Sequence, residues 1–160
     1  MNEISRQTCI RFRQRTASDY NYVRIVTGNG CTSYVGRIGG AQALTLQRPG
    51  CIDQGVIIHE LTHAIGFQHM QQAFDRDNYV TINYQNVQNG YAFAFDKYST
   101  SQVSHFGGSY DYNSVMHYDR YAFSANGQPT IIPKDPSAQI GNKPNLSPQD
   151  ISKIQKMYNC

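Results

Sequence analysis

No apolar run in this chain approaches the ~18 residues that a membrane-spanning helix requires, and the opening residues MNEISRQTCI lack the apolar core of a signal peptide. No membrane partner is expected. Charge is also in short supply: 14 Lys and Arg against 11 Asp and Glu leave a formal +3, too little to mark a nucleic-acid partner. No segment repeats, and none is rich enough in Gly, Ser or Pro to serve as a linker, so 160 residues at 39% apolar composition read as one domain. The four cysteines, Cys9, Cys31, Cys51 and Cys160, include no CxxC pair, which excludes a zinc ribbon or a thioredoxin-type motif. Two disulfides are expected instead, and with them an oxidising compartment. Three pairings are open. Cys31 with Cys51 and Cys9 with Cys160 is favoured, because the second bond would tie the start of the domain to its end. Loop-closure entropy assigns roughly 3 kcal/mol to the shorter link and about 5 kcal/mol to the longer.

The first half reads as strands. In CIRFRQRT, Ile10 and Phe12 alternate with Arg11, Arg13 and Arg15, which form a solvated strand face; YVRIVT repeats the period of two before the turn at 28–30. CTSYVG and ALTLQ are two further short strands, closed by Pro49 and Gly50. From Gln54 the pattern changes to QGVIIHELTHAIG, apolar on nearly every side, which predicts a buried helix ended by Gly66. Beyond it a strand is expected at YVTIN in otherwise irregular chain. LSPQDISKIQKMY then predicts a terminal helix with Ser147 as N-cap, Pro148 as first helical residue and Asp150 in the first turn.

The chain has only two glutamates, and one of them, Glu60, sits among three histidines in HELTHAIGFQH at 59–69. Residues four apart on a helix lie about 40° apart around its axis, so His59 and His63 face the same way and can bind one ion. Glu60 is then beside the ion rather than on it, where a carboxylate can take a proton from activated water. Gly66 allows a sharp turn that brings His69 round as third ligand, and three neutral histidines leave the open position of a catalytic zinc. From the composition of this chain, chance occurrence of HExxH is about two in a thousand; adding the Gly and the third His lowers it to on the order of five in a million.

HELTHAIGFQH, together with FDRDNYVTINYQNV at 74–87 and SVMHY at 114–118, closely resembles the astacin family of zinc endopeptidases, within the metzincins. CTSYVGRIGGAQ at 31–42, TIIPK at 130–134 and Cys160 extend the likeness to nearly the whole chain. The resemblance implies an α+β, zincin-like fold: a twisted mixed sheet and the active-site helix in the N-terminal half, an irregular C-terminal half ending in a helix. It implies one peptidase domain over 1–160 with sub-lobes of about 1–66 and 67–160 flanking a cleft, and without the strand and most of the helix that family members carry upstream of Thr8 and Cys9. One Zn2+ per chain is implied, held by His59, His63 and His69, with Glu60 as general base. Met116 matches the Met-turn methionine, an apolar floor beneath the histidines. Tyr118 matches a tyrosine that binds the metal at rest and swings away to hydrogen-bond the tetrahedral intermediate. His117 matches no ligand role and reads as structural.

The strand with Thr32, Ser33 and Tyr34 is expected to pair with an extended protein or peptide substrate, and Lys143 to favour acidic residues just after the scissile bond. Such a chain is expected to be a secreted monomer that hydrolyses internal peptide bonds. Two positions depart from the family pattern: Met70 stands where a glutamate usually follows the third histidine, and Ala73 where an arginine is expected. These departures keep open a competing reading, a zinc-binding but inactive module or decoy.

Overall fold

Period-two patterning becomes a strand only where a neighbour takes up the main-chain hydrogen bonds, and this decides the architecture of the first half. A computed structural model describes all of residues 1–160, and the chain divides into two units: Met1–Gln68 with Pro144–Cys160, and His69–Lys143.

In the first unit, β1 (Tyr22–Val26) runs parallel to β3 (Ala41–Leu46), and β2 (Cys31–Ser33) lies antiparallel on the other side of β3. The sheet order is β1-β3-β2, a small mixed sheet with β2 at one edge. Central β3 alternates as its sequence predicts, with Gln42, Leu44 and Leu46 buried. Buried Gln42 is fully engaged: its amide donates to Gly36 O at 2.9 Å and accepts from Ile38 N–H at 3.2 Å. Helix α2 (Gln54–Ile65) adds Ile58, Leu61 and Ile65 to the same core.

The segment CIRFRQRT is a correction to the sequence reading. Ile10 and Phe12 are half-buried and Arg11, Arg13 and Arg15 exposed, as the alternation predicts, yet 10–16 joins no sheet. Side chains hold it instead: Arg13 grips Asp19 through two hydrogen bonds of 2.7 and 2.5 Å, and the Arg15 guanidinium lies 4.3 Å from the centre of the Tyr22 ring. Between this segment and β1 an open groove of about 670 Å³ is lined by Ile10, Phe12, Val23, Ile25 and Leu61. The alternation is faithful to burial but silent about pairing. The strand expected over CTSYVG is also shorter, ending at Ser33, so Tyr34 lies beyond it.

A short helix that the patterning does not predict, α1 (Asn2–Gln7), places Ile4 in the core, with Glu3 bound to Arg6 and Gln7 on its surface. The terminal helix α3 (Pro148–Tyr158) starts as expected: Ser147 and Asp150 form a reciprocal capping box behind Pro148. Two covalent links and two long-range hydrogen bonds close the unit. Cys9 is bonded to Cys160 and Cys31 to Cys51; Gln155 donates to Gln7 O at 3.1 Å and the Tyr158 hydroxyl to Ile65 O at 2.6 Å.

The second unit is mostly irregular, with 3-10 turns at Met70–Gln72, Arg76–Asn78, Tyr84–Asn86 and Ala92–Phe95. Its one sheet pairs β4 (Val80–Ile82) with β5 (Ile131–Pro133), antiparallel. An apolar cluster of Met70, Ala73, Val80, Ala94, Phe95, Tyr110, Ile131 and Ile140 forms its core. Arg76, 5% exposed, is buried at tolerable cost because its guanidinium donates to Gln71 O (3.0 Å), Phe95 O (2.7 Å) and Asp77 (2.5 Å).

Ser147→Ala removes the side-chain half of the α3 capping box. It is expected to lower stability by about 1 kcal/mol, read as a lower urea midpoint at unchanged slope.

Candidate active site

Helix α2 is fixed at both ends by side-chain and backbone chemistry written in its flanks. Asp53 caps its first turn, accepting from Gly55 N–H at 2.8 Å and Val56 N–H at 3.4 Å. At its end the Gly66 N–H donates to His63 O (2.8 Å) and the Phe67 N–H to Thr62 O (3.2 Å), a Schellman closure. Gly66 adopts φ of 123°, a backbone conformation that favours glycine.

That closure also sets the chemistry of His63. The chain turns back so that Phe67 O lies 2.8 Å from His63 Nδ1. A carbonyl only accepts, so Nδ1 carries the proton and Nε2 keeps its lone pair for a metal. Burial, reinforced by the nearby His59, holds the His63 pKa down at about 4, so the ring is neutral at physiological pH. His69 Nδ1 is oriented in the same manner by the Gln72 side-chain oxygen, 3.3 Å away. One ligand atom from each of His59, His63 and His69 lies within 4.8 Å of the others.

Glu60, 4% exposed, has a carboxylate oxygen, Oε2, that is buried without a hydrogen-bond partner. Burial pushes its pKa up to about 7. A buried, partnerless carboxylate is costly unless something polar is meant to meet it. Beside three histidines whose ligand atoms converge, it fits the neighbourhood of a metal site.

The Tyr118 ring packs against His69, with centroids 4.3 Å apart and planes tilted by 51°. Met116, 3% exposed, is anchored through its carbonyl, which accepts from Met70 N–H at 2.9 Å. The turn carrying Met116 and Tyr118 is thus tied to the residue directly after the third histidine. Thr32 and Ser33 lie on edge strand β2, and Tyr34 just past it is exposed. Lys143 is half-buried, its ammonium donating to the Asn113 side chain at 3.1 Å.

With this geometry in place, comparison with known proteins identifies the lineage. The family model Astacin, a peptidase family, matches residues 1–159. The chain belongs to the astacin family. It is 50% identical over 160 residues to zinc metalloproteinase nas-13 of Caenorhabditis elegans, covering all of this chain and 35% of that protein. Identity to high choriolytic enzyme 2 of Oryzias latipes is 45% over 162 residues, covering 100% of this chain and 57% of that one. The solved structure of high choriolytic enzyme 1, a hatching enzyme zinc-protease from Oryzias latipes, matches with a TM-score of 0.94 at 43% identity, covering 100% of this chain and 79% of that chain. The chain spans only 28–51% of the length of the nematode relatives it matches.

Zinc is the cofactor that the astacin family implies, and the donor set fits it: three imidazoles, two with their second nitrogen engaged by an oxygen. The two departures from the astacin pattern also find a physical account. Met70 and Ala73 are each 5% exposed and belong to the apolar cluster of the second unit, so a charged side chain at either position would be buried among hydrocarbon. Sequence reasoning missed Gln72, Gln71 and the Phe67 carbonyl, the groups that orient His69, Tyr118 and His63. A glutamine pair carries no motif, and a main-chain acceptor has no letter of its own.

His63→Ala is expected to weaken zinc binding by more than the ~10- to 100-fold typical of losing an outer partner, whereas Glu60→Gln still binds one zinc. Titration of each purified chain with zinc against a competing chromophoric chelator measures both.

Proposed function

We propose that this chain is a zinc-dependent endopeptidase that hydrolyses internal bonds of extended proteins or peptides. The observation that carries this reading is the convergence of three imidazoles next to a buried carboxylate that has no partner of its own. The names of its relatives, a zinc metalloproteinase and a hatching enzyme zinc-protease, support it.

Zinc held by His59, His63 and His69 supplies a Lewis acid that makes water a nucleophile near neutral pH and polarises a carbonyl. Glu60 accepts the proton of the attacking water and returns it to the departing amine. Tyr118, beside His69, offers its phenol to the developing oxyanion, and losing one such donor typically lowers the rate ~10²- to 10³-fold. Met116 supplies the apolar floor. Because β2 is an edge strand, the main chain at Thr32 and Ser33 can pair with a substrate as an added strand, with Tyr34 just past it as the next contact. Lys143 supplies a positive charge for an acidic side chain directly after the scissile bond. The two disulfides support an extracellular location, and the enzyme acts as a monomer.

Glu60→Gln is expected to bind zinc normally and to lose at least ~10²-fold in kcat on a quenched unfolded peptide. Cleavage by the parent chain is abolished by phenanthroline and restored by zinc; one bound zinc with no chelator-sensitive cleavage would instead mark a binding module. A cleavage profile on a peptide library is expected to show Asp and Glu enriched just after the cut, and Lys143→Ala to flatten that preference without loss of kcat on the best neutral peptide.

A further inference from the structure

Both main-chain polar groups of Tyr118 end on side chains that are buried. Its N–H donates to Oε1 of Gln71, which is 0% exposed, at 3.2 Å. Its carbonyl lies 2.7 Å from Nδ1 of His117, which is 3% exposed. Because a carbonyl cannot donate, His117 Nδ1 must carry the hydrogen, and in the neutral ring Nε2 is then an acceptor. The group waiting there is a donor: the Tyr110 hydroxyl, 2.7 Å away and inside the same apolar core. Tyr110 in turn has little freedom, since its ring stacks on Tyr79 at 4.6 Å with a 7° interplanar angle. The Tyr112 hydroxyl locks the Tyr79 main chain by donating to Tyr79 O at 2.6 Å.

We infer that His117 is a positioning residue for Tyr118, holding the Tyr118 peptide to the Tyr110 hydroxyl through its ring so that the phenol is presented from a fixed main chain. The inference rests on the proposed role of Tyr118 in binding the oxyanion. The geometry explains why an imidazole is needed there. His117 bridges two groups of opposite demand, a carbonyl that needs a donor and a hydroxyl that needs an acceptor, on opposite sides of one rigid ring. Phenylalanine fills the same space and satisfies neither. A phenol that swings on a fixed main chain returns to the same place at each turnover; a misplacement of about 1 Å is enough to cost ~10²-fold in rate.

Two sets of measurements on the full 160-residue chain test this. In the zinc-free chain, ¹⁵N spectra of the His117 ring are expected to show the Nδ1-protonated tautomer, with the Nε2 resonance moving on Tyr110→Phe; the opposite tautomer overturns the inference. In the zinc-loaded chain, His117→Phe is expected to lower kcat about 10- to 100-fold, with KM and zinc content within about twofold. His117→Asn, whose amide nitrogen occupies the place of Nδ1, is expected to recover most of that loss. In a Tyr118→Phe background the same His117→Phe change should cost less than about twofold more, since its effect runs through the phenol. Equal losses in the two backgrounds overturn the positioning role while leaving Tyr118 itself intact. Wild-type kcat for Tyr118→Phe overturns the role of Tyr118, and the inference with it. Should His117→Phe fail to fold, Tyr110→Phe carries the same comparison: non-additivity with Tyr118→Phe supports the inference and additivity overturns it.

Discussion

The place where α2 stops governs the chemistry of the site. A helix delivers His59 and His63 to one face by its period alone, but it cannot deliver a third ligand from the same direction without leaving the helical path. Gly66 supplies that departure through a backbone conformation in which most side chains are strained. The reversal brings Phe67 O onto His63 Nδ1, which fixes the tautomer, and carries the chain on to His69. One conformational event thus terminates the helix, orients its last ligand and introduces the next.

Around this turn, burial sets the protonation states. Removal from water keeps His63 neutral and discourages ionisation of Glu60, so ligand and base are biased in opposite chemical senses by the same physical cause. The partnerless oxygen of Glu60 is the cost, and such a cost is retained where a ligand or substrate satisfies it at work. Gln71 Nε2 is buried without a partner in the same way, whereas Gln42 on Gly36 and Ile38 and Arg76 on the Gln71 and Phe95 carbonyls are closely matched.

Tyr118 illustrates a second device. It lies in irregular chain, where no ladder of hydrogen bonds fixes the backbone, and the fixing is done by side chains: Gln71 on its N–H, His117 on its carbonyl. Met70, directly after the third histidine, reinforces the same turn twice, through its N–H on Met116 O and through its side chain in the apolar cluster. A polar side chain at position 70 would forfeit the second contribution.

The sequence by itself determined the features that are local. The three histidines and the glutamate of 59–69, the glycine that ends α2, and the Ser147 cap of α3 each depend on residues within a few positions of one another, so spacing and residue type suffice to read them. Alternation likewise told which side chains of Ile10–Arg15 are sheltered. What it could not tell is that this stretch has no strand beside it, because main-chain pairing depends on which segment arrives alongside, and side-chain chemistry does not encode that. Only the tertiary structure brought Gln71 to the Tyr118 N–H, Gln72 to the His69 ring and Tyr110 to the His117 ring. Their hydrogen bonds join residues through geometry rather than motif, and an ordinary glutamine or tyrosine gains its role only when folding leaves a single buried partner within reach.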